Sequence, residues 1–412
     1  MHPVASDIYH DATMLAGWLI QIRRQLHMIP ELGNEEYKTS AFIQKTLQEL
    51  GIPFETVGTG VVALLEGPRP GRVVAIRADM DALPIAEPEN RPYASTHPGR
   101  MHACGHDAHM AIALGVARLL AARRDELRGA VRFLFQPAEE TTGGALPLIR
   151  SGCLERPHVD LVLGLHVLPE LPAGMVECKY GAFYGASDSI EIEIHGSSSH
   201  AAYPDRGVDA IVAAATVIQS LQTLISRSVS PLDHAVLTIG TIHGGTQSNI
   251  LADRVHMTGT MRTVSESVRE FLKERLVTVA EHTARALGAS AEVRITPSYP
   301  VLQNHDRAVD LVRNVAVDML GRDYVRLREK PMMGVEDFAY YLKERPGAFW
   351  HLGCGPAPDA NRNGQLQPGS SQLPQAAPLH SPLFAIDEAC LPLGVAIQAA
   401  AALRFLLEQD SD

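Results

Sequence analysis

Three apolar segments of this chain each end in polar side chains, and this pattern limits the possible folds more than any other feature. Residues 73–79, 131–136 and 159–166 are typical of buried strands, and a long helix is predicted between the first two, over residues 108–124. Strands that alternate with helices predict an α/β fold in which helices flank a mostly parallel central sheet. Ligands of such sheets bind beyond the carboxyl ends of the strands, so the polar strand ends predict a functional site.

The pattern changes near residue 186, where a second folding unit is predicted to interrupt the first. The segments that follow have the order βαββαβ of a ferredoxin-like unit. Their predicted bounds are 187–195, 208–226, 235–243, 254–262, 265–286 and 291–296. We therefore predict a catalytic domain formed by residues 1–186 and 298–412, with an inserted domain of residues 187–297.

The composition favours a soluble protein with a small-molecule partner. The 412 residues exceed the roughly 250–300 at which a single hydrophobic core stops growing, which agrees with two domains. A net charge of −11 argues against a nucleic-acid or anionic membrane surface, because both require clustered cations. Five cysteines without paired spacing, and an N-terminal apolar segment that is short and has no basic residues before it, predict a cytoplasmic location.

The segment MHACGHDAH concentrates one thiol, three imidazoles and one carboxylate in a short stretch. Its Cys104 and His106 lie two residues apart, so their side chains can converge on one divalent metal such as zinc, manganese, cobalt or nickel. The alternative is a buried free cysteine among core histidines. His102 and His109 are expected to be ordinary loop and helix residues, and Asp107 is predicted to cap the start of the helix.

Later segments supply side chains that complete a metal site. Glu139 and Glu140 follow a predicted strand, and because successive side chains point in different directions, one can bind a metal while the other acts as a base. His166 ends another strand, and His380 lies in a polar loop. Each residue alone is typical of a surface acid or an ordinary histidine, but coincidence is the weaker explanation for the whole set. The ligand-type residues are Cys104, His106, Glu140, His166 and His380.

A metal site with an adjacent glutamate predicts hydrolytic chemistry. A divalent metal makes water a stronger nucleophile and polarises a carbonyl group, and Glu139 would take the proton of the water and pass it to the leaving nitrogen. Other nucleophiles fit less well. The serines beside His200 lack a nucleophile elbow, and Cys104 lacks the surroundings of a cysteine protease.

With these residues assembled, the sequence resembles the M20 family of metallopeptidases and amidohydrolases. The resemblance is strongest to the aminoacylase and hippurate-hydrolase branch, which includes the plant hydrolases of auxin–amino acid conjugates. It extends over nearly the whole chain as a series of ordered motifs. These motifs lie at residues 24–32, 77–84, 101–109, 135–140, 164–167, 196–204, 259–263, 334–338 and 380–382.

The resemblance implies a role for each candidate residue. The ligand-type residues match positions that bind two divalent metal ions per subunit, and Glu139 matches the general base. The inserted domain matches a lid and dimerisation domain, which implies a homodimer or a tetramer. His200 matches a histidine that reaches the neighbouring subunit's active site and stabilises the oxyanion. Asn249 and Arg262 match lid residues that hold the substrate, and a guanidinium such as that of Arg262 suits a carboxylate.

The sequence departs from the wider family at the first ligand. Asp79 and Asp81 stand where the aminopeptidase and dipeptidase branches carry His-x-Asp, and Cys104 and His106 stand where those branches place a bridging aspartate. The resemblance therefore implies that Asp79 and Asp81 orient ligands rather than bind metal. The residue that bridges the two metals is left open.

We predict a metal-dependent hydrolase that cleaves the amide bond of N-acyl amino acids and releases a carboxylate and a free amino acid. One alternative is a dipeptidase or carboxypeptidase of the same family, although a dipeptidase needs an acid for the substrate's free amine, and the inserted domain offers no clear one. Another is a ligand-binding paralogue without activity, against which the retained ligand set and Glu139 argue. Acetyl, hippurate-like, auxin-conjugate and longer acyl groups all fit the sequence.

Overall fold

The chain forms two compact units in the computed structural model, which describes residues 3–88, 91–356 and 376–408. The domain predicted at residues 187–297 lies within the second unit, which also includes a short later segment. The first unit comprises Met1–Gly181, Asn304–Glu329 and Tyr340–Asp412, and the second comprises Ala182–Gln303 and Lys330–Ala339.

The N-terminal helices differ from the sequence pattern. The apolar spacing of residues 7–28 predicts a single helix, but two helices form there and separate at Leu15. The helices are α1 (Pro3–Met14), α2 (Ala16–His27), α3 (Tyr37–Glu49), α4 (His106–Ala122), α5 (Ala145–Arg150), α6 (Ala210–Thr223), α7 (Glu266–Ala286), α8 (Asp306–Leu320), α9 (Ala339–Glu344) and α10 (Cys390–Leu407). Residues 355–378 are rich in Gly, Pro and Gln, which predicts a loop, and most of them lie outside the described residues.

Most strands of the first unit form one sheet of eight strands, in the order β1-β2-β4-β3-β5-β14-β6-β13. The strands are β1 (Phe54–Val57), β2 (Gly60–Glu66), β3 (Arg69–Asp79), β4 (Arg128–Gln136), β5 (Leu161–Pro172), β6 (Val176–Cys178), β7 (Gly181–Tyr184), β8 (Ala186–His195), β9 (Ala235–Gly244), β10 (Arg254–Thr263), β11 (Ser290–Pro297), β12 (Leu302–Asn304), β13 (Val325–Leu327) and β14 (Gly347–Gly355).

The centre of this sheet is parallel, as the sequence predicts. Strands β4, β3, β5 and β14 run parallel to one another, while β1, β2 and β6 add antiparallel pairs towards the edges. All residues of β14 are buried, and so are those of β4 after its first residue. Helices α4, α8 and α10 pack against these strands, so near-continuous apolar runs are stable there. The parallel strands end at one edge of the sheet.

The second unit is a four-stranded antiparallel sheet in the order β11-β8-β10-β9, with α6 and α7 packed on it. Ile190, Ile192 and Ile194 alternate along β8 and belong to a separate hydrophobic core. Local signals begin both helices: Asp209 accepts hydrogen bonds from two backbone N–H groups at the start of α6, and Ser265 accepts one at the start of α7. The chain order βαββαβ of this unit matches the prediction.

Among the described residues, two helical segments are long and apolar enough to cross a membrane, Ala210–Ser228 and Cys390–Leu407. In the second, 78% of the segment is buried inside the first unit, where it forms part of the hydrophobic core. Length and composition alone therefore do not distinguish this helix from an ordinary core helix.

Candidate metal centre

The carboxyl edge of the central sheet gathers the predicted ligands. β3 ends at Asp79, β4 is followed by Glu139 and Glu140, and β5 carries His166 near the point where its neighbour β3 stops pairing. Helix α4 begins at His106, and the backbone N–H of His380 donates to the carbonyl of Ala103 over 2.9 Å, which holds the distant loop against this segment.

Gly105 lets Cys104 and His106 face the same point. Its φ of 87° lies in the left-handed region, where a side chain is strained, and an added Cβ would lie 2.3 Å from Cγ2 of Val167. Glycine therefore permits both the turn into α4 and the close approach to β5. His380 also has a positive φ, 64°, which is uncommon for a residue with a side chain.

The ligand atoms lie close enough to share metal ions. Cys104 Sγ lies 3.4 Å from His166 Nε2. Glu140 Oε1 lies 3.3 Å from His380 Nε2 and 3.8 Å from His106 Nε2. Two sets of donor atoms, each within 4.8 Å of one another, have Cys104 in common: one adds His106 and His166, and the other adds Glu140 and His380.

Hydrogen bonds to the protein fix which nitrogen of each buried histidine faces the cluster. The Nδ1 atom of His106 lies 2.8 Å from the carbonyl of Asp81, and Nδ1 of His166 lies 2.7 Å from the carbonyl of Val167. A carbonyl only accepts, so each Nδ1 carries a hydrogen, and in the neutral ring each Nε2 presents its lone pair to the cluster. Backbone carbonyls impose this arrangement on metal-binding imidazoles.

These residues fit a divalent metal centre. The buried Nε2 of His106 and Oε1 of Glu140 have no hydrogen-bond partner among the described residues, although buried polar atoms are normally satisfied. A thiol, imidazoles and a carboxylate together suit zinc, manganese, cobalt or nickel. The donor set and the orphaned atoms therefore both favour metal binding.

The electrostatics of the cluster agree with this assignment. Burial alone would lower the pKa of His106, but the carboxylates of Asp79, Asp81 and Glu140 outweigh burial and raise it to about 10. Burial raises the pKa of the Cys104 thiol well above its ordinary value, and the negative charge of Glu140 raises it further. A cation placed among these groups would reverse both shifts, because it favours an imidazole lone pair and a thiolate.

Asp79 and Asp81 contact residues of the cluster through hydrogen bonds. Asp79 is fully buried, with Oδ1 2.6 Å from His109 Nδ1 and Oδ2 2.6 Å from Arg77 Nη1, so both oxygens already have partners. Asp81 Oδ2 accepts a hydrogen bond of 2.9 Å from the backbone N–H of Glu140, while its carbonyl holds His106. These contacts suit the orienting role that the resemblance implies, which stays a prediction.

His109 is more than the ordinary helix residue expected from the sequence. Its Nε2 accepts a hydrogen bond of 2.9 Å from the backbone N–H of Val167, so Nδ1 carries the hydrogen and donates to Asp79. His109 thereby ties α4 to β5 directly beside His166. The available signal was its spacing of three residues from His106, which places both on one side of the helix.

Asp107 lies inside the first turn of α4 rather than at its N-cap, which corrects the predicted position, although its Oδ1 accepts a hydrogen bond of 2.9 Å from the backbone N–H of Ala108. The helix begins one residue earlier, and Asp107 Oδ2 lies 2.7 Å from both Arg23 Nε and His27 Nδ1. Although burial disfavours the charge of Asp107, these two cations hold its pKa well below the ordinary range. The other ring nitrogen of His27, Nε2, lies 3.0 Å from Glu87 Oε1, so both nitrogens face carboxylates and His27 is a cation.

Helix α2 also fastens the segment that follows His380. Glu388 Oε1 accepts hydrogen bonds from Arg23 Nη1 over 3.3 Å and Arg24 Nε over 3.0 Å, and Oε2 accepts a third from Arg24. One helix therefore anchors two ligand-bearing segments that are far apart in sequence. The sequence contains an indication of this role, because Arg23 and His27 have the same spacing as the buried apolar residues of α2.

The remaining predicted residues lie in the second unit. His200 and Ile250 form a bridge between two loops, which places His200 beside Asn249, and the Ala202 N–H donates to Nδ1 of His200 over 3.0 Å. Arg262 lies near the end of β10, and its Nη1 donates to the carbonyl of Met333 over 2.7 Å. The structure thus brings His200 and Asn249 together, whereas Arg262 lies elsewhere in the unit.

Comparison with known proteins identifies the family. The model of peptidase family M20/M25/M40 matches residues 75–380. The chain is 44% identical to an N-acetyl-L-cysteine deacetylase of Bacillus subtilis, over 81% of this chain and 80% of the relative. It is 38% identical to an IAA-amino acid hydrolase of Arabidopsis thaliana, over 95% of this chain and 86% of the relative.

A solved structure agrees with the sequence relatives. A dinuclear metal-binding peptidase of the M20 family from Bacillus subtilis superposes with a TM-score of 0.80 at 35% identity, over 96% of this chain and 99% of that chain. The fold, the set of candidate metal ligands and the relatives therefore agree with one another. The chain belongs to peptidase family M20/M25/M40 and is a metal-dependent hydrolase of amide bonds.

Proposed function

We propose that this protein hydrolyses N-acyl amino acids to a carboxylate and a free amino acid. The observation that carries the proposal is the position of Glu139, whose carboxylate lies within 4.8 Å of ligand atoms of His106 and Glu140 at the end of β4. The names of the two relatives specify an N-acetyl amino acid and an IAA–amino acid conjugate, which favours amide substrates of this type.

The chain's own residues would divide the chemistry as follows. Two divalent metals held by the ligand set would supply Lewis acidity that activates water and polarises the amide carbonyl. Glu139 is 7% exposed and accepts the proton of the attacking water. It then returns this proton to the nitrogen as the C–N bond breaks, so the amino acid leaves as a neutral amine. The ligand set is Cys104, His106, Glu140, His166 and His380.

His200 is chemically suited to stabilise the oxyanion. Because its Nδ1 accepts the Ala202 N–H, the neutral ring carries its hydrogen on Nε2, which is a donor. A donor placed where negative charge develops lowers the barrier to the reaction. We assign this role to His200, and we assign recognition of the substrate's carboxylate to Arg262 because a guanidinium can donate two parallel hydrogen bonds.

The spacing within the second unit favours use of His200 in a partner's active site. Strand β10 separates the His200 and Asn249 loops, which precede its first residue, from Arg262 near its end. From Arg254 to Arg262 the strand advances eight residue steps, which span roughly 26 Å at about 3.3 Å per step. One substrate cannot contact both ends of a single unit, so a site that uses His200 and Arg262 requires two subunits. Asn249 lies beside His200, so it would act in the same active site as His200.

Exposed apolar side chains on α6 and β9 of the second unit suit the homodimer. Ile211 and Val212 on α6 are 47% and 54% exposed, and Val236 and Ile242 on β9 are 45% and 49% exposed. β9 is an edge strand, whose unpaired backbone groups can pair with another chain. We propose that a second copy of this chain covers α6 and the edge strand β9, as a dimer or as part of a tetramer.

The substrate class is tested by a hydrolysis screen with zinc, manganese, cobalt and nickel in parallel. N-acyl amino acids that differ in acyl chain and side chain are compared with the matching dipeptides, and released amino acid is measured. We expect turnover of N-acyl amino acids to exceed that of the dipeptides. Faster cleavage of dipeptides would instead identify a dipeptidase, and metal-loaded protein inert to every compound would indicate a ligand-binding paralogue.

A further inference from the structure

The loop that presents Glu139 and Glu140 begins with a strained residue. Ala138 has a φ of 56°, in the left-handed region that residues with a side chain rarely adopt. Ala138 is the second residue after β4, and the two glutamates follow it directly. A strained conformation persists only where the surrounding structure holds it, so the contacts of Ala138 determine whether the loop keeps its shape.

Glu36 provides the principal contact. Its Oε1 accepts a hydrogen bond of 2.8 Å from the backbone N–H of Ala138, and its Oε2 accepts one of 2.7 Å from the hydroxyl of Thr59. The side chain is completely buried, and burial raises its pKa. Burying a carboxylate at this depth costs free energy unless hydrogen bonds replace those it made with water. Metal binding and hydrolysis as described above do not otherwise use Glu36.

The strained residue is fixed on its other side as well. The carbonyl of Ala138 accepts a hydrogen bond of 2.9 Å from the N–H of Gly143, and two residues later the N–H of Glu140 donates to Asp81. Glu139 therefore lies between two anchored peptide groups. The contact to Glu36 comes from a segment that contains neither the predicted ligands nor the residues predicted to orient them.

Neighbouring residues of the Glu36 segment also fit the loop closely. An added Cβ on Gly33 would lie 2.3 Å from Thr141 Oγ1 and 3.1 Å from the Cα of Ala138, so only glycine leaves room. Asn34 Nδ2 donates to Thr142 Oγ1 over 3.0 Å. The stretch from Gly33 to Glu36 thus acts as a template along one side of the loop.

We propose that Glu36 is a positioning residue that holds Ala138 in its left-handed conformation and thereby fixes both Glu139 and Glu140. The part that concerns Glu139 rests on the proposed function. The part that concerns Glu140 bears on metal affinity and is independent of the substrate. When only a fraction of molecules has the ligand correctly placed, the apparent affinity falls by that fraction.

The test measures metal affinity by chelator competition and, separately, kcat and KM. Glu36→Ala is expected to weaken metal affinity by about tenfold and to lower kcat more than it raises KM. Glu36→Gln keeps both hydrogen bonds, since its amide accepts from Ala138 and donates to Thr59, and is expected to stay within about threefold of wild type. Glu36→Ala combined with Ala138→Gly should recover most of the lost affinity, because glycine adopts a positive φ without strain.

The matched control is Glu35→Ala, which removes the neighbouring carboxylate, 2.9 Å from Arg100 on the surface, and should leave metal affinity unchanged. If Glu36→Ala does not fold, Gly33→Ala tests the same template, with weaker metal affinity expected. Wild-type metal affinity in a folded Glu36→Ala or Gly33→Ala protein would overturn the proposal, as would equal losses in Glu36→Ala and Glu36→Gln. If metal affinity responds as expected and no amide is cleaved, the substrate assignment fails and the positioning role stands.

Discussion

At the scale of single residues, two ligands of the candidate centre, His106 and Cys104, both have pKa values raised by their surroundings. His106 is surrounded by three carboxylates that raise its pKa to about 10, and the Cys104 thiol is buried beside Glu140, which raises its pKa. Without a metal, both ligands therefore hold their protons at neutral pH. A metal binds the deprotonated forms and must displace these protons.

We expect metal affinity to rise with pH. Because both ligands have raised pKa values, deprotonation becomes easier as pH rises, and affinity should increase by about tenfold or more per pH unit between about pH 6 and about pH 8. Chelator competition at several pH values measures this slope, and proton release in buffers of different ionisation enthalpy provides a check. An affinity that does not change with pH would contradict the proposed ligand pair.

At the scale of elements, the turn between Cys104 and His106 tests how closely α4 must approach β5. Gly105→Ala introduces a methyl group 2.3 Å from Val167 Cγ2 at a φ of 87°. We expect a loss of about 1–3 kcal/mol in the free energy of unfolding and a clear loss of metal affinity. Gly17→Ala on α2 is the control, because its Cβ meets no atom within 4 Å and helical alanine should stabilise by up to about 1 kcal/mol. Equal stability of the two variants would argue against the close packing.

The contact between α4 and α2 through Asp107 should make the stability of the protein depend on pH. Asp107→Asn leaves Arg23 and His27 buried without their shared carboxylate, so unfolding at pH 7 should require about 3–5 kcal/mol less free energy. The pKa of Asp107 is lower in the folded state, so the stability that its charge contributes is present above the ordinary aspartate pKa of about 3.9 and is lost as pH falls below it. Denaturant titrations should show that the difference in unfolding free energy between variant and wild type becomes smaller below about pH 4. A difference that does not change with pH would exclude the charge of Asp107 as its cause.

The elements also show what the sequence could and could not reveal. The strand ends, the βαββαβ order and the ligand types are visible in apolar runs and residue chemistry, because these are local patterns. The break at Leu15 is not, since the apolar stripe continues through it from Ile8 and Ala12 to Leu19. Contacts such as Glu36 with Ala138 depend on which segments meet in space, and a single sequence does not record this pairing.

At the scale of the whole molecule, the separation of His200 from Arg262 predicts that activity depends on assembly. Val212→Glu places a charge at an exposed apolar position of α6 and should convert the proposed dimer to a monomer in sedimentation experiments. Since the monomer lacks His200 of the partner subunit, kcat should fall by about 100-fold or more, while metal content stays at the wild-type level. An active monomer would contradict the shared site.

The central claim is that Glu139 acts as the base beside a metal centre that other residues hold. The most direct measurement compares wild type with Glu139→Gln, loaded with the same metal, by steady-state hydrolysis of an N-acyl amino acid and by metal analysis of the same samples. We predict that metal content and KM change little while kcat falls by at least about 100-fold, the usual contribution of a general base. Wild-type turnover in Glu139→Gln with the metal still bound would contradict the mechanism.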